Sequence, residues 1–144
     1  MTEPRRHNGS EPRIVGFLCS WSCGSGNAAP STGEPPCPDN AKIIRVMCSG
    51  RVTPAFILKA LACGADGVLI ASCHPGDCHY VSGNYQTTRR IESTRKLLEQ
   101  LGVEPERLRM QAVPGGDGAA LARAVSDFTE TLKGLGPSPL ERRC

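Results

Sequence analysis

The sequence predicts an α/β domain: a small doubly wound parallel sheet of about four strands, flavodoxin- or Rossmann-like, with helices on both faces. Three observations lead there. Short apolar runs of strand length alternate with longer stretches whose apolar residues recur every three or four positions. Each of the longer stretches closes on a glycine, the usual stop of a helix. And 144 residues give room for one ordinary domain, not two.

Residues 1–13 carry Arg5, Arg6 and Arg13 without an apolar core, so they read as a disordered, solvated leader and not as a secretory signal. A single domain is expected over 14–134. Residues 14–18 (Ile-Val-Gly-Phe-Leu) have the length of a buried strand. The stretch 19–40 is rich in Ser, Gly and Pro, and Pro30, Pro35, Pro36 and Pro38 exclude a long helix there. A second strand follows over 42–47, β-branched at three positions. After a turn at 48–52, Thr53 and Pro54 start a helix as cap and first residue, with Phe56, Ile57, Ala60 and Leu61 on its face and Gly64 at its end.

The run 66–71 is the third strand, and 72–84 is a loop holding two cysteines and two histidines. A longer helix is predicted from about 85 to 101, with Ile91, Thr94, Leu97, Leu98 and Leu101 on one face and Gly102 as its stop. Residues 108–113 make a fourth strand, placed at the sheet edge because Arg107 and Arg109 flank it. Asp117 caps a last helix with Leu121, Ala124, Val125, Phe128 and Leu132 on its face, ending at Gly134. A frayed tail is expected over 135–144.

Composition removes several function classes. With 39% apolar and 22% charged residues the chain is an ordinary globular one. No apolar run approaches the roughly 20 residues of a membrane-spanning helix. The net charge of +3 is mild, and between Ile14 and Tyr80 four basic residues face four acidic ones, so no nucleic-acid surface is expected. A cytoplasmic location fits the polar leader.

Cysteine is the outlier: eight in the chain, below the roughly 8–10% of a small disulfide scaffold. Without a secretion signal most should be reduced, which favours metal or redox chemistry. In a right-handed doubly wound sheet the carboxyl ends of the strands share one edge, where open α/β sheets place their sites. Cys19 follows strand one, Cys48 strand two and Cys73 strand three, with Cys23 and Cys78 further along the same loops. These five are the candidate metal ligands. Cys63 reads as a small buried hydrophobe, and Cys37 and Cys144 have no assigned role. Thiolate-only sites suit zinc or iron–sulfur clusters; structural zinc usually holds a knuckle that could not fold otherwise, whereas here Cys48 stands alone between Cys19-x3-Cys23 and Cys73-x4-Cys78 and the domain has its own sheet and helices. Four thiolates from separated loops suit a 2Fe–2S cluster as well as zinc. Haem attachment wants Cys-x2-Cys-His, which is absent, and so is the Cys-x2-Cys of a thioredoxin-type dithiol. His74 and His79 read as loop hydrogen-bonders, and no phosphate loop or dinucleotide fingerprint is present.

The segments Ile43-Ile-Arg-Val-Met-Cys-Ser-Gly-Arg-Val52 and Cys73-His-Pro-Gly-Asp-Cys78-His79, with the residues around the latter from Gly64 to Asn84, resemble the delta subunit family of methyl-viologen-reducing hydrogenase. The resemblance runs through Arg89-Arg90 to Leu132. It implies a non-catalytic electron-transfer subunit holding one 2Fe–2S cluster, between a hydrogenase or formate dehydrogenase and the flavin subunit of a heterodisulfide reductase. Four ligands are needed, so one of the five cysteines is spare. The family's Cys-x2-Cys has one extra residue here, which marks Cys23 as the one to spare. In this picture backbone N–H groups at 49–51, the helix start at Thr53 and the cation of Arg51 stabilise the reduced state, and the basic segment 89–95 offers a docking face. A zinc-stabilised interaction module and a redox-sensing thiol protein are the alternative readings.

Overall fold

The computed structural model describes residues 11–19, 40–72, 83–113, 118–136 and 138–140. The strands β1 (Ile14–Cys19), β2 (Ala41–Val46), β3 (Gly67–Ser72) and β4 (Leu108–Ala112) form one parallel sheet in the order β2-β1-β3-β4. β1 and β3 are central and almost wholly buried, which is why their sequences are continuous apolar runs. β4 lies at an edge, as its flanking arginines predict, and β2 forms the other edge.

The pleat divides the core between two faces. Ile14, Leu18, Leu69 and Ala71 pack against α3 (Gly118–Leu135), through Leu121, Ala124, Val125, Phe128 and Leu132. On the other face, Phe17, Val68, Ile70 and Leu108 meet Ile57 and Leu61 of α1 (Pro54–Ala62) and Ile91 and Leu98 of α2 (Gly83–Gln100). Helices therefore cover both faces of a doubly wound α/β sheet. Thr53 caps α1 as expected, its hydroxyl accepting from the Phe56 N–H at 3.4 Å.

Three details differ from the sequence pattern. α3 continues to Leu135, because Gly134 stays helical and Gly136 takes the positive φ of 79° and returns its N–H to Leu132. The buried stripe of α2 is Thr87, Ile91, Thr94 and Leu98, whereas Leu97 and Leu101 turn outward. Phe56 is also half exposed, its ring stacked on Phe17 at 6.3 Å between centroids.

Both ends are tied to Asp66, just ahead of β3. The Arg13 N–H donates to Asp66 Oδ2 at 2.9 Å, and the Ser138 N–H donates to Oδ1 at 3.2 Å. Arg13, in the segment expected as a leader, and buried Ser138, in the segment expected as a tail, are thus joined to the same side chain, while 1–10 and 141–144 lie outside the described residues.

Close packing has a measurable consequence at Gly67. A Cβ there would stand 2.7 Å from Phe128 Cζ and 2.7 Å from Leu132 Cδ1, both on α3. Gly67→Ala is expected to destabilise the fold by about 1–3 kcal/mol, the range for overpacking a filled core. Urea unfolding would show it as a lowered midpoint at unchanged slope.

Candidate metal centre

Two of the five candidate cysteines fall within the described residues, and the fold brings them to one place. Cys19 is the last residue of β1, and its register partner is Val46, the last residue of β2. Cys48 stands two residues beyond Val46. Both are buried cysteines at the carboxyl edge of adjacent parallel strands. The Cys19 thiol reaches the Met47 carbonyl at 3.9 Å, which ties the two strand ends together. β3, on the other side of β1, ends at Ser72, and Cys73 is the next residue in the chain. Cys23, Cys73 and Cys78 lie outside the described residues, as do His74, His79 and Asp77. Among the described residues no cluster of three or more metal-ligating side chains is formed.

The local backbone explains how Cys48 is held. It is extended, with φ −151° and ψ 145°, and it caps a short 3-10 turn over Ser49–Arg51. Its sulfur accepts the Gly50 N–H at 3.4 Å, the position an N-capping hydroxyl or carboxylate usually takes. The turn closes through Arg51 N–H to the Cys48 carbonyl at 2.9 Å and Val52 N–H to the Ser49 carbonyl at 3.0 Å.

Helix α2 clamps this turn from the side. The Arg90 guanidinium donates to the Gly50 carbonyl and, at 3.5 Å, to the Val52 carbonyl. Thr87 donates to the buried Ser49 hydroxyl at 3.4 Å. Further along, Arg95 gives two hydrogen bonds to the Leu108 carbonyl, at 3.1 and 2.9 Å. The segment 89–95, expected as a docking face, thus turns two of its three arginines to internal backbone carbonyls. A reading of that segment as surface charge alone misses the clamp. The signal is present in the sequence: Arg90 sits three residues after Thr87 and one before Ile91, alongside the stripe that packs inward. Arg51, by contrast, is exposed.

The Cys48 sulfur accepts a backbone N–H, whereas the Cys19 thiol donates to a backbone carbonyl. Two buried thiols on neighbouring strand ends are the kind of soft donors that zinc or an iron–sulfur cluster takes. Cys63 plays no part in this edge. It is the half-buried cap at the end of α1, disulfide-bonded and not the buried core thiol expected. It lines a cavity of about 670 Å³ at the amino edge of the sheet with Arg13, Asn40 and Lys42.

Several known proteins are similar to this chain over nearly its whole length. The chain is 44% identical over 131 residues to the vhc iron-sulfur subunit of the F420-non-reducing hydrogenase of Methanococcus voltae, covering 91% of each chain. It is 43% identical to the iron-sulfur subunit of the F420-non-reducing hydrogenase of Archaeoglobus profundus, over 92% of this chain and 96% of the relative. A third relative is much longer. It is a subunit of the Ferredoxin/F(420)H(2)-dependent CoB-CoM heterodisulfide reductase of Methanosarcina acetivorans, 36% identical across 99% of this chain, which matches 18% of that protein. Residues 14–136 match the family model FlpD, methyl-viologen-reducing hydrogenase, delta subunit. With nearly the whole of its sheet and helices inside that match, the chain belongs to the FlpD family, the delta subunits of methyl-viologen-reducing hydrogenase.

Proposed function

We propose that the chain is an electron-transfer subunit that carries one 2Fe–2S cluster. It relays electrons between a hydrogenase or formate dehydrogenase and the flavin subunit of a heterodisulfide-reductase-type complex. The observation that carries this reading is the pair of buried cysteines, Cys19 and Cys48, at adjacent parallel strand ends. The relatives support an iron–sulfur cofactor and association with a hydrogenase and a heterodisulfide reductase, one being named as an iron-sulfur subunit of a hydrogenase and another as part of a heterodisulfide reductase.

Cys19 and Cys48 would hold the cluster with two of Cys23, Cys73 and Cys78. A bound 2Fe–2S cluster supplies a one-electron couple and no bond-making step. The protein's part is to hold and tune. Gly50 donates to the Cys48 sulfur and so favours the state with more negative charge. Burial of both thiols keeps water from the sulfurs. Arg90 fixes the turn that presents Cys48.

Protein purified without oxygen is expected to contain about two irons per chain. After dithionite reduction it should show a single spin-half EPR signal. Stoichiometric zinc without iron would establish the zinc-stabilised module instead, and metal-free, colourless protein the redox-sensing thiol.

A further inference from the structure

We propose that Arg90 is the cation that sets the reduction potential of the centre at Cys48, a role that the sequence pattern gives to Arg51. The proposal rests on the electron-transfer reading above and names the side chain that favours the reduced state.

The anchoring of α2 carries Arg90 to the turn after β2. Thr87 and Ile91 are buried on the helix face that packs inward. Thr87, three residues before Arg90 and on the same side of the helix, donates to the buried Ser49 hydroxyl at 3.4 Å. The Arg90 guanidinium then spans the turn, donating to the Gly50 carbonyl and, at 3.5 Å, to the Val52 carbonyl. Gly50 is also the residue whose N–H donates to the Cys48 sulfur at 3.4 Å. One glycine therefore bridges the two groups, its N–H on the sulfur and its carbonyl on the guanidinium. That puts the positive charge within about 10 Å of the sulfur.

The charge is not cancelled where it sits. Both partners of Arg90 are neutral backbone carbonyls, and among the described residues no carboxylate pairs with it. Residues 41–65, which contain the turn, include no Asp or Glu. Glu92, two residues further along α2, lines the groove between α2 and β4 instead. Arg51 is exposed and Arg90 is half-buried, so water screens the first charge more than the second.

Reduction adds one electron to a 2Fe–2S cluster and makes its charge one unit more negative, with no bond made or broken. A fixed cation nearby lowers the energy of the reduced state more than that of the oxidised one, so it raises the potential. Arg90 is a positioning residue: it holds the Cys48 turn, and its charge acts across Gly50. The guanidinium suits both tasks, because its planar fork reaches two acceptors and its charge is permanent.

The test uses the full chain purified without oxygen and titrated with dithionite against mediator dyes. EPR and visible absorption follow the reduction, and iron is assayed on every sample. Arg90→Gln keeps a donor and drops the charge. It is expected to keep most of its iron and to have an equilibrium constant for reduction about tenfold lower, a fall of about 59 mV for a one-electron couple. Arg90→Lys keeps the charge, and its potential should stay near that of the unaltered chain. Arg89→Gln removes a charge from the exposed neighbouring position and should leave the potential in place. Arg51→Gln should shift it less than Arg90→Gln does. An unchanged potential in iron-loaded Arg90→Gln would overturn the proposal, as would an equal fall in Arg90→Lys or Arg89→Gln, or a larger one in Arg51→Gln. If Arg90→Gln loses its iron, an Arg90→Lys protein that keeps both iron and potential still supports the charge. Loss of iron from both would overturn it and leave Arg90 as a prop for the turn. An unaltered chain with no iron and no one-electron couple would sink the electron-transfer reading and this proposal with it. A normal couple that the Arg90 variants do not move would sink this proposal alone.

Discussion

Arg107→Met is expected to cost about 3–5 kcal/mol of unfolding free energy, the range for stripping one partner from a buried charged network. Arg107 is fully buried. Its guanidinium donates to Glu104 at 2.7 Å, to the Asp66 carbonyl at 2.9 Å and to the Gly136 carbonyl at 2.8 Å. It therefore joins the start of β3, the approach to β4 and the end of α3. Methionine fills much of the volume and satisfies none of the acceptors, and each buried carbonyl left unpaired costs about 1–3 kcal/mol. For a chain of this size the melting temperature should fall by roughly 10 °C or more. The pH profile gives a second readout. The hydrogen bond from Arg107 holds the Glu104 carboxyl below its ordinary pKa of 4.5. That contribution is present above the ordinary value and is lost as pH falls through the lowered one. Glu104 is partly exposed, so this share is small. The variant should lack it, and its gap from the unaltered protein should narrow in acid. A loss below about 1 kcal/mol at neutral pH would mean that water replaces the guanidinium at both carbonyls.

Arg107 also shows where reading a sequence stops. An arginine before a weak strand suggests an edge, and β4 is an edge, but the side chain points inward to carbonyls 29 and 41 residues away in sequence. Nothing periodic announces such partners. Elements that depend on local rules are legible: alternating runs, the Thr53-Pro54 start, and glycine stops at Gly64 and Gly102, both at positive φ. Boundaries shift where tertiary geometry chooses between candidates, as with Gly134 and Gly136. The convergence of Cys19 and Cys48 is legible for a topological reason, because parallel strands must end on one edge. The clamp of Arg90 on the Cys48 turn is legible only in part: its place beside the inward stripe of Thr87 and Ile91 is in the sequence, but the Gly50 and Val52 carbonyls it meets are not. Cys63 departs from its expected role because helix periodicity reports a face and not a disulfide.

Cys48→Ser is expected to lose the visible absorption and bring iron from about two per chain to well below one. It should do so with the fold intact. Serine is a good N-cap, so its hydroxyl can take over the Gly50 N–H now held by sulfur, and the Ser49–Arg51 turn should persist. Far-ultraviolet circular dichroism and the urea midpoint of the iron-free proteins should therefore agree. The loss would then belong to the ligand, because a serine oxygen is harder and less easily deprotonated than a thiol and makes a poor iron ligand in a four-cysteine set. Cys19→Ser should behave alike in iron content, since Cys19 shares the same strand edge. Cys63→Ser, at the amino edge of the sheet, should keep the spectrum. A normal spectrum in the Cys48→Ser protein would show that the turn after β2 lies beside the cluster without binding it. The four ligands would then have to be Cys19, Cys23, Cys73 and Cys78, which requires the Cys19-x3-Cys23 pair to act together despite its extra residue.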